Sequence, residues 1–303
     1  MPRTRRLLPA LLALCVTAPL AACGGSDDAG GATAAASAGG PVDVVASAYP
    51  FAWLAERVGG ADAKVTNLVK PGAEPHDLEL SPQQVALVGD AAVLVYLKGF
   101  QPAVDEAAGS APETARLDLA GPAQADAPGE EAGAVDPHVW LDPVRMGAMA
   151  TAVGERLATR DPEHAAAYRE RATATASDLT ALDGVFRDSL QSCARTDIVT
   201  SHTAFAYLAQ RYGLRQVGIT GLSPDAEPSP GRIAEVSRYA KEHGVTTIFF
   251  ESLVDPKVAR TVADEAGAQT AVLDPVEGVA GGDDYLSVMR RNAASLSGAL
   301  GCR

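Results

Sequence analysis

Between Pro162 and Leu190 the chain carries one glycine, Gly184, and no further proline. Tyr168, Ala172, Leu179, Leu182, Val185 and Phe186 recur along that stretch at helical spacing. Asp161-Pro162 before it is a helix-start signal. A helix of that length spans about 40 Å at 1.5 Å per residue. Shorter elements alternate on either side of it, so the rod reads as a rigid connector between two halves.

In the first half, apolar β-rich runs at 42–46, 64–69, 92–97 and 116–119 predict strands. Helices are expected near 50–58 and from Ser81-Pro82, a cap followed by a first-turn proline, to about residue 88. Residues 120–135 hold Gly, Pro, Ala and acids without periodicity and read as loop. Asp142-Pro143 then opens a helix that runs through residue 157. The second half repeats the alternation. Strands are expected at 197–200, 216–219, 246–250 and 269–273, with helices at 204–212, 229–243, after Asp255-Pro256, and at 285–300. Alternation of this kind argues for an α/β fold. The expected architecture is two lobes, each a mainly parallel sheet covered by helices, joined by one long rigid helix. The boundaries are 42–160 for the N-terminal lobe, 161–191 for the connecting helix and 192–303 for the C-terminal lobe.

What precedes residue 42 concerns location. Arg3, Arg5 and Arg6 lead into an apolar stretch from Leu7 to Leu20, too short to span a bilayer as a mature helix. Leu20-Ala21-Ala22-Cys23-Gly24 resembles a bacterial lipobox, in which the cysteine is lipidated and becomes the first mature residue. Residues 1–22 are thus expected to be a lipoprotein signal peptide, and the Gly/Ala/Ser-rich residues 23–41 a flexible tether. Cleavage removes three arginines and leaves 22 basic against 38 acidic residues, a net charge of −16. Nucleic acid and anionic lipid would repel such a chain. Only Cys193 and Cys302 remain beyond Cys23, and in an exported chain they are expected to form a disulfide.

Three histidines sit in three separate signatures: Pro71-Gly72-Ala73-Glu74-Pro75-His76-Asp77, Asp136-Pro137-His138-Val139-Trp140-Leu141-Asp142-Pro143, and Thr200-Ser201-His202-Thr203-Ala204-Phe205. A fourth segment, Val272-Leu273-Asp274-Pro275, adds a carboxylate after an apolar run. Neutral imidazoles with one carboxylate suit a borderline transition metal, zinc above all. His76, His202 and Asp274 fall just beyond expected strand ends, where open α/β sheets bind ligands. Two ligands come from each half, which places the metal between the lobes. The separations are unlike a zinc finger or a His-Glu-x-x-His helix. Glu251, at another strand end, fits as an acceptor that orients a ligand imidazole. Trp140 is expected to pack behind the His138 loop and Asp142 to cap its helix. His164 and His243 lie outside the signatures.

These segments, with Glu227-Pro228-Ser229 before a helix and Ile248-Phe249-Phe250-Glu251, resemble the solute-binding proteins of zinc and manganese ABC transporters, the cluster A-I or cluster 9 family. The resemblance covers residues 42–303. It implies that His76, His138, His202 and Asp274 ligate the ion, and that a membrane permease is the partner of a monomeric protein anchored outside the cytoplasm through Cys23. Histidine at the third position goes with Zn(II) in that family and glutamate with Mn(II), so His202 favours zinc, with manganese as the alternative. Two departures stand out. Residues 120–135 contain no histidine, leaving only Glu130 and Glu131 there, and Pro75 rather than a glutamate precedes His76. A lipoprotein adhesin is a second class of function. A zinc hydrolase, the third, lacks an accompanying nucleophile or oxyanion motif, and no enzymatic role is expected.

Overall fold

Residues 40–126, 135–279 and 282–303 are described in the computed structural model of the chain. Cys23, the export segment, the tether as far as residue 39, and Glu130 and Glu131 lie outside the described residues.

The first half runs β1 (Val42–Ala46), α1 (Tyr49–Gly59), β2 (Ala63–Asn67), α2 (Pro82–Asp90), β3 (Val93–Tyr96), α3 (Pro102–Ala108), β4 (Arg116–Asp118) and α4 (Ala120–Ala123). Its sheet is parallel throughout, in the order β2-β1-β3-β4. Every residue of β3 is buried, as expected for a parallel strand covered on both faces. Ser81 caps α2 through a reciprocal capping box with Gln84. The second half runs β5 (Asp197–Thr200), α7 (Ala206–Tyr212), β6 (Arg215–Gly218), α8 (Pro230–Glu242), β7 (Thr247–Phe250), α9 (Lys257–Ala266), β8 (Gln269–Val272) and α10 (Tyr285–Leu300), once α5 (Pro143–Arg160) and α6 (Ala165–Leu190) have intervened. Its sheet is also parallel, ordered β6-β5-β7-β8, and so repeats the topology of the first. In both sheets the chain reverses direction of winding beside the first strand, and the crevice beyond the carboxyl ends there is where α/β folds place ligands.

The expected long helix is α6, preceded by a 3-10 turn over Pro162–His164. It is attached to helices of both halves. Arg171 donates to the carbonyls of Val58 and Gly59 and to Asp62, and Arg57 pairs with Asp178. Further along, the Asp183 carboxylate accepts from Arg211 Nε (2.6 Å) and Tyr212 OH (3.0 Å), both on α7. Gly154 lets α5 approach closely, since a Cβ there would meet Ala172 Cβ at 2.6 Å. A single apolar core continues through Phe51, Leu54, Met149, Leu157, Tyr168, Leu179, Phe186, Tyr207 and Tyr285. It joins both halves along α5 and α6.

Two details differ from the expectation. α3 was not anticipated, because Pro102–Ala108 is short and its apolar pattern sparse. The stretch expected as loop from residue 120 begins with one helical turn, α4. Cys193 and Cys302 are bonded, fastening the chain just beyond α10 to the exit of α6 across 109 positions of sequence. No helix among the described residues is long and apolar enough to cross a membrane.

Candidate metal centre

His202 lies two residues beyond β5, at the switch point of the second sheet. Its backbone is held tightly: the His202 carbonyl accepts from Thr200 Oγ1 (2.6 Å) and Gln216 Nε2 (3.1 Å). Glu251 follows β7, the neighbouring strand, and its carboxylate lies 2.6 Å from His202 Nδ1. Ser201 Oγ also donates to that carboxylate. With Nδ1–H committed to Glu251, the lone pair of Nε2 faces the cleft, the arrangement that orients a metal-binding imidazole. Glu251 thus stands where the sequence placed it.

His138 opens the 3-10 turn Val139–Leu141. Asp136 Oδ1 accepts both its backbone N–H (2.9 Å) and its Nδ1 (2.7 Å), so His138 too presents Nε2. Asp136 is an orienting acceptor that the sequence reading did not single out, although its place two residues before the histidine was a usable signal. Side chains from the second half clamp this segment. Tyr207 OH donates to the Asp136 carbonyl (2.9 Å) and Tyr285 OH to the Trp140 carbonyl (2.6 Å). Trp140 is fully buried between Phe51, Phe100 and His138, and its Nε1–H donates to the Pro275 carbonyl at 2.8 Å. Asp142 caps α5 by accepting from Val144 N and Arg145 N.

His76 lies in the loop after β2, with Phe100 edge-on at 4.9 Å. Glu74 accepts its backbone N–H at 3.0 Å. The buried Gln101 carboxamide ties this loop to the end of β1 by donating to the carbonyls of Pro75 and Ser47.

The three imidazoles converge, and the carboxylate that joins them is Glu277. Asp274 is not the one. One ligand atom from each of His76, His138, His202 and Glu277 lies within 4.8 Å of all the others. His138 Nε2 is 3.1 Å from His76 Nε2 and 3.3 Å from His202 Nε2. Glu277 Oε1 lies 3.2 Å from the first two imidazoles and 3.7 Å from His202. Four ligands about 2.05 Å from a tetrahedral zinc ion are about 3.3 Å apart, and the five separations above bracket that value. Asp274 spends its carboxylate locally: Oδ1 accepts from Val276 N (2.8 Å) and Oδ2 from Ser252 Oγ (2.5 Å). An aspartate before a proline favours that kind of turn, and the chain carries on to bring Glu277 inward. That turn tendency, with a second carboxylate three residues later, was the available signal. His164 pairs with Asp161 on the surface and His243 ends α8; neither approaches the centre.

Electrostatics reflect the crowding. Burial pushes the Glu277 carboxyl upward, but hydrogen bonds from three imidazoles outweigh it and hold it well below the usual range. Burial opposes charge on His202, yet Glu251 and then Glu277 prevail and lift it to about 10. His138 is raised for the same reason against its burial, chiefly by Asp136. His76, with burial as its largest influence, is lowered. Burial and then repulsion from Glu277 raise the Glu74 carboxyl to about 8. Three nitrogens and one carboxylate oxygen in a compact set suit zinc, whereas manganese prefers more oxygen atoms.

The model of the family described as "Zinc-uptake complex component A periplasmic" matches residues 44–299. The high-affinity zinc uptake system protein ZnuA of Bacillus subtilis is 33% identical over 301 residues, covering 93% of each chain. The zinc-binding lipoprotein AdcA of Streptococcus pneumoniae is 35% identical over 279 residues, which is 86% of this chain but 56% of AdcA, so the chain spans about half of that longer protein. The crystal structure of the Zn(II)-bound ZnuA-like domain of the same AdcA superposes with a TM-score of 0.75 at 33% identity, covering 86% of this chain and 99% of that one.

Proposed function

The chain belongs to the ZnuA family of periplasmic zinc-uptake components, and from that premise we propose that it captures Zn(II) outside the cytoplasm and delivers it to the permease of an ABC importer. The observation that carries this reading is the convergence of four ligand atoms at tetrahedral spacing. His76 and His138 come from lobe 42–160, and His202 and Glu277 from lobe 192–303. Zinc is cargo here, held between two lobes that also meet a membrane partner. Asp136 and Glu251 keep two imidazoles in the tautomer that binds it. AdcA is named a lipoprotein, which supports cleavage after residue 22 and anchoring through Cys23. The family is one of transport components; four mutually facing ligands leave no open position of the kind a hydrolytic zinc needs.

The test is the metal content of protein purified without added metal, followed by competition between zinc and manganese for wild type and Glu277→Gln. One zinc per chain, preferred over manganese and weakened by Glu277→Gln, is expected. A preference for manganese, or no effect of Glu277→Gln, would refute the reading.

A further inference from the structure

Val276 is fully buried and has φ of 59°. That left-handed conformation is uncommon outside glycine and an outlier for a β-branched residue. Such strain persists only when the surroundings over-determine it, and here they are identifiable. The Val276 N–H is held by Asp274 Oδ1 at 2.8 Å, and Ser252 Oγ holds the other oxygen of the same carboxylate. Asn292 on α10 grips the Asp274 backbone on both sides, accepting its N–H (2.9 Å) and donating to its carbonyl (2.7 Å). The Pro275 carbonyl is held by Trp140 Nε1, from the His138 signature. Three consecutive residues are thus pinned from three directions, and the next one is Glu277.

We propose that Asp274 is a positioning residue for the carboxylate ligand: its side chain holds the Val276 N–H, and so keeps Val276 in the left-handed conformation that aims Glu277 at the three imidazoles. The inference rests on the zinc-site reading above. Asn292 and Trp140 hold the two residues before it, but the Asp274 side chain is the acceptor for the Val276 N–H itself, and without it that bond no longer offsets the steric cost at Val276. The backbone relaxes toward an ordinary region, and Glu277 turns away from the ion. The carboxylate is therefore the ligand whose own backbone favours departure, and its hold sets the rate at which zinc leaves.

The experiment measures zinc affinity by competition with a chromophoric chelator, zinc release by stopped flow into excess chelator, and the visible spectrum of the Co(II)-loaded protein. Asp274→Ala is expected to weaken zinc binding by about tenfold to a hundredfold, mainly through faster release, and to shift the Co(II) spectrum toward that of Glu277→Gln. Asp274→Asn keeps the Oδ1 acceptor and should stay within about threefold of wild type. Adding Val276→Gly to Asp274→Ala should recover much of the loss, because glycine adopts the left-handed conformation without steric cost. Wild-type affinity and spectrum in Asp274→Ala overturn the proposal. So does an Asp274→Asn variant as weak as Asp274→Ala, since charge at the ion rather than the held N–H would then matter. If Asp274→Ala does not fold, Ser252→Ala replaces it, with zinc release expected about threefold to tenfold faster; unchanged release overturns the proposal. Unaltered zinc affinity in Glu277→Gln would instead sink the zinc-site reading itself.

Discussion

Replacing Glu251 by glutamine keeps an acceptor oxygen near His202 Nδ1 but removes a buried negative charge. Two consequences oppose each other. Losing the charged partner weakens the imidazole as a ligand, at a typical cost of tenfold to about a hundredfold in metal affinity. The same carboxylate is the main group that lifts His202 to about 10, against the opposing effect of burial. At pH 7.5 zinc must therefore displace a proton from His202, which lowers the apparent affinity there by about 300-fold relative to high pH. Glu251→Gln relieves most of that competition. Near neutral pH the two effects are similar in size and nearly cancel, whereas above pH 10, where His202 is neutral in both proteins, only the loss of ligand strength remains. The expected profile for wild type is zinc affinity rising by about tenfold per pH unit between pH 7 and 9. The variant's profile flattens, so the two curves lie together near pH 7.5 and separate by about tenfold or more once pH passes about 10. Competition with a pH-tolerant chelator across that range is the assay. His138 and Glu277 are common to both proteins and drop out of the comparison. Parallel profiles with a constant offset would refute the argument, because they would mean that Glu251 does not control the proton on His202.

In metal-free protein the raised His202 pKa has the opposite sign for stability: its contribution is fully present below about 6.5 and is lost as pH climbs through about 10, so urea midpoints should fall between pH 7 and 10 and recover on adding zinc. His202→Glu converts the set to two nitrogens and two carboxylates, and should lower zinc affinity far more than manganese affinity in parallel titrations. Gly154→Val places side-chain atoms against Ala172, whose Cβ is already 2.6 Å from a Cβ at that position, and should cost about 1–3 kcal/mol in urea unfolding. Cys193→Ser opens a loop closed across 109 positions, with an expected loss of about 4 kcal/mol in the same assay, while zinc affinity stays unchanged.

The elements of this fold were written locally. Ser81-Pro82, Asp142-Pro143 and Ser229-Pro230 each begin a helix where a capping side chain and a first-turn proline stand together. The uninterrupted pattern from residue 162 became α6, and the strands expected at 42–46 and 197–200 have those bounds. α3 escaped notice because seven residues carry too few turns for a period to register. The three histidines were legible for a different reason: each sits in a segment whose neighbours also have structural work, such as Asp136 beside His138 and Trp140 behind it.

The carboxylate of the candidate metal site was not legible. Asp274 and Glu277 are both carboxylates in one short loop, three residues apart, and composition cannot rank them. The choice was made by contacts from distant parts of the chain: Ser252 after β7, Asn292 on α10 and Trp140 from the other half. Those contacts occupy Asp274 and hold Val276 in a conformation that its own side chain disfavours. A local sequence signal reports what a residue prefers among its neighbours. Which carboxylate faces the three imidazoles depended instead on long-range hydrogen bonds strong enough to override that preference, and these exist only once both sheets have packed along α6.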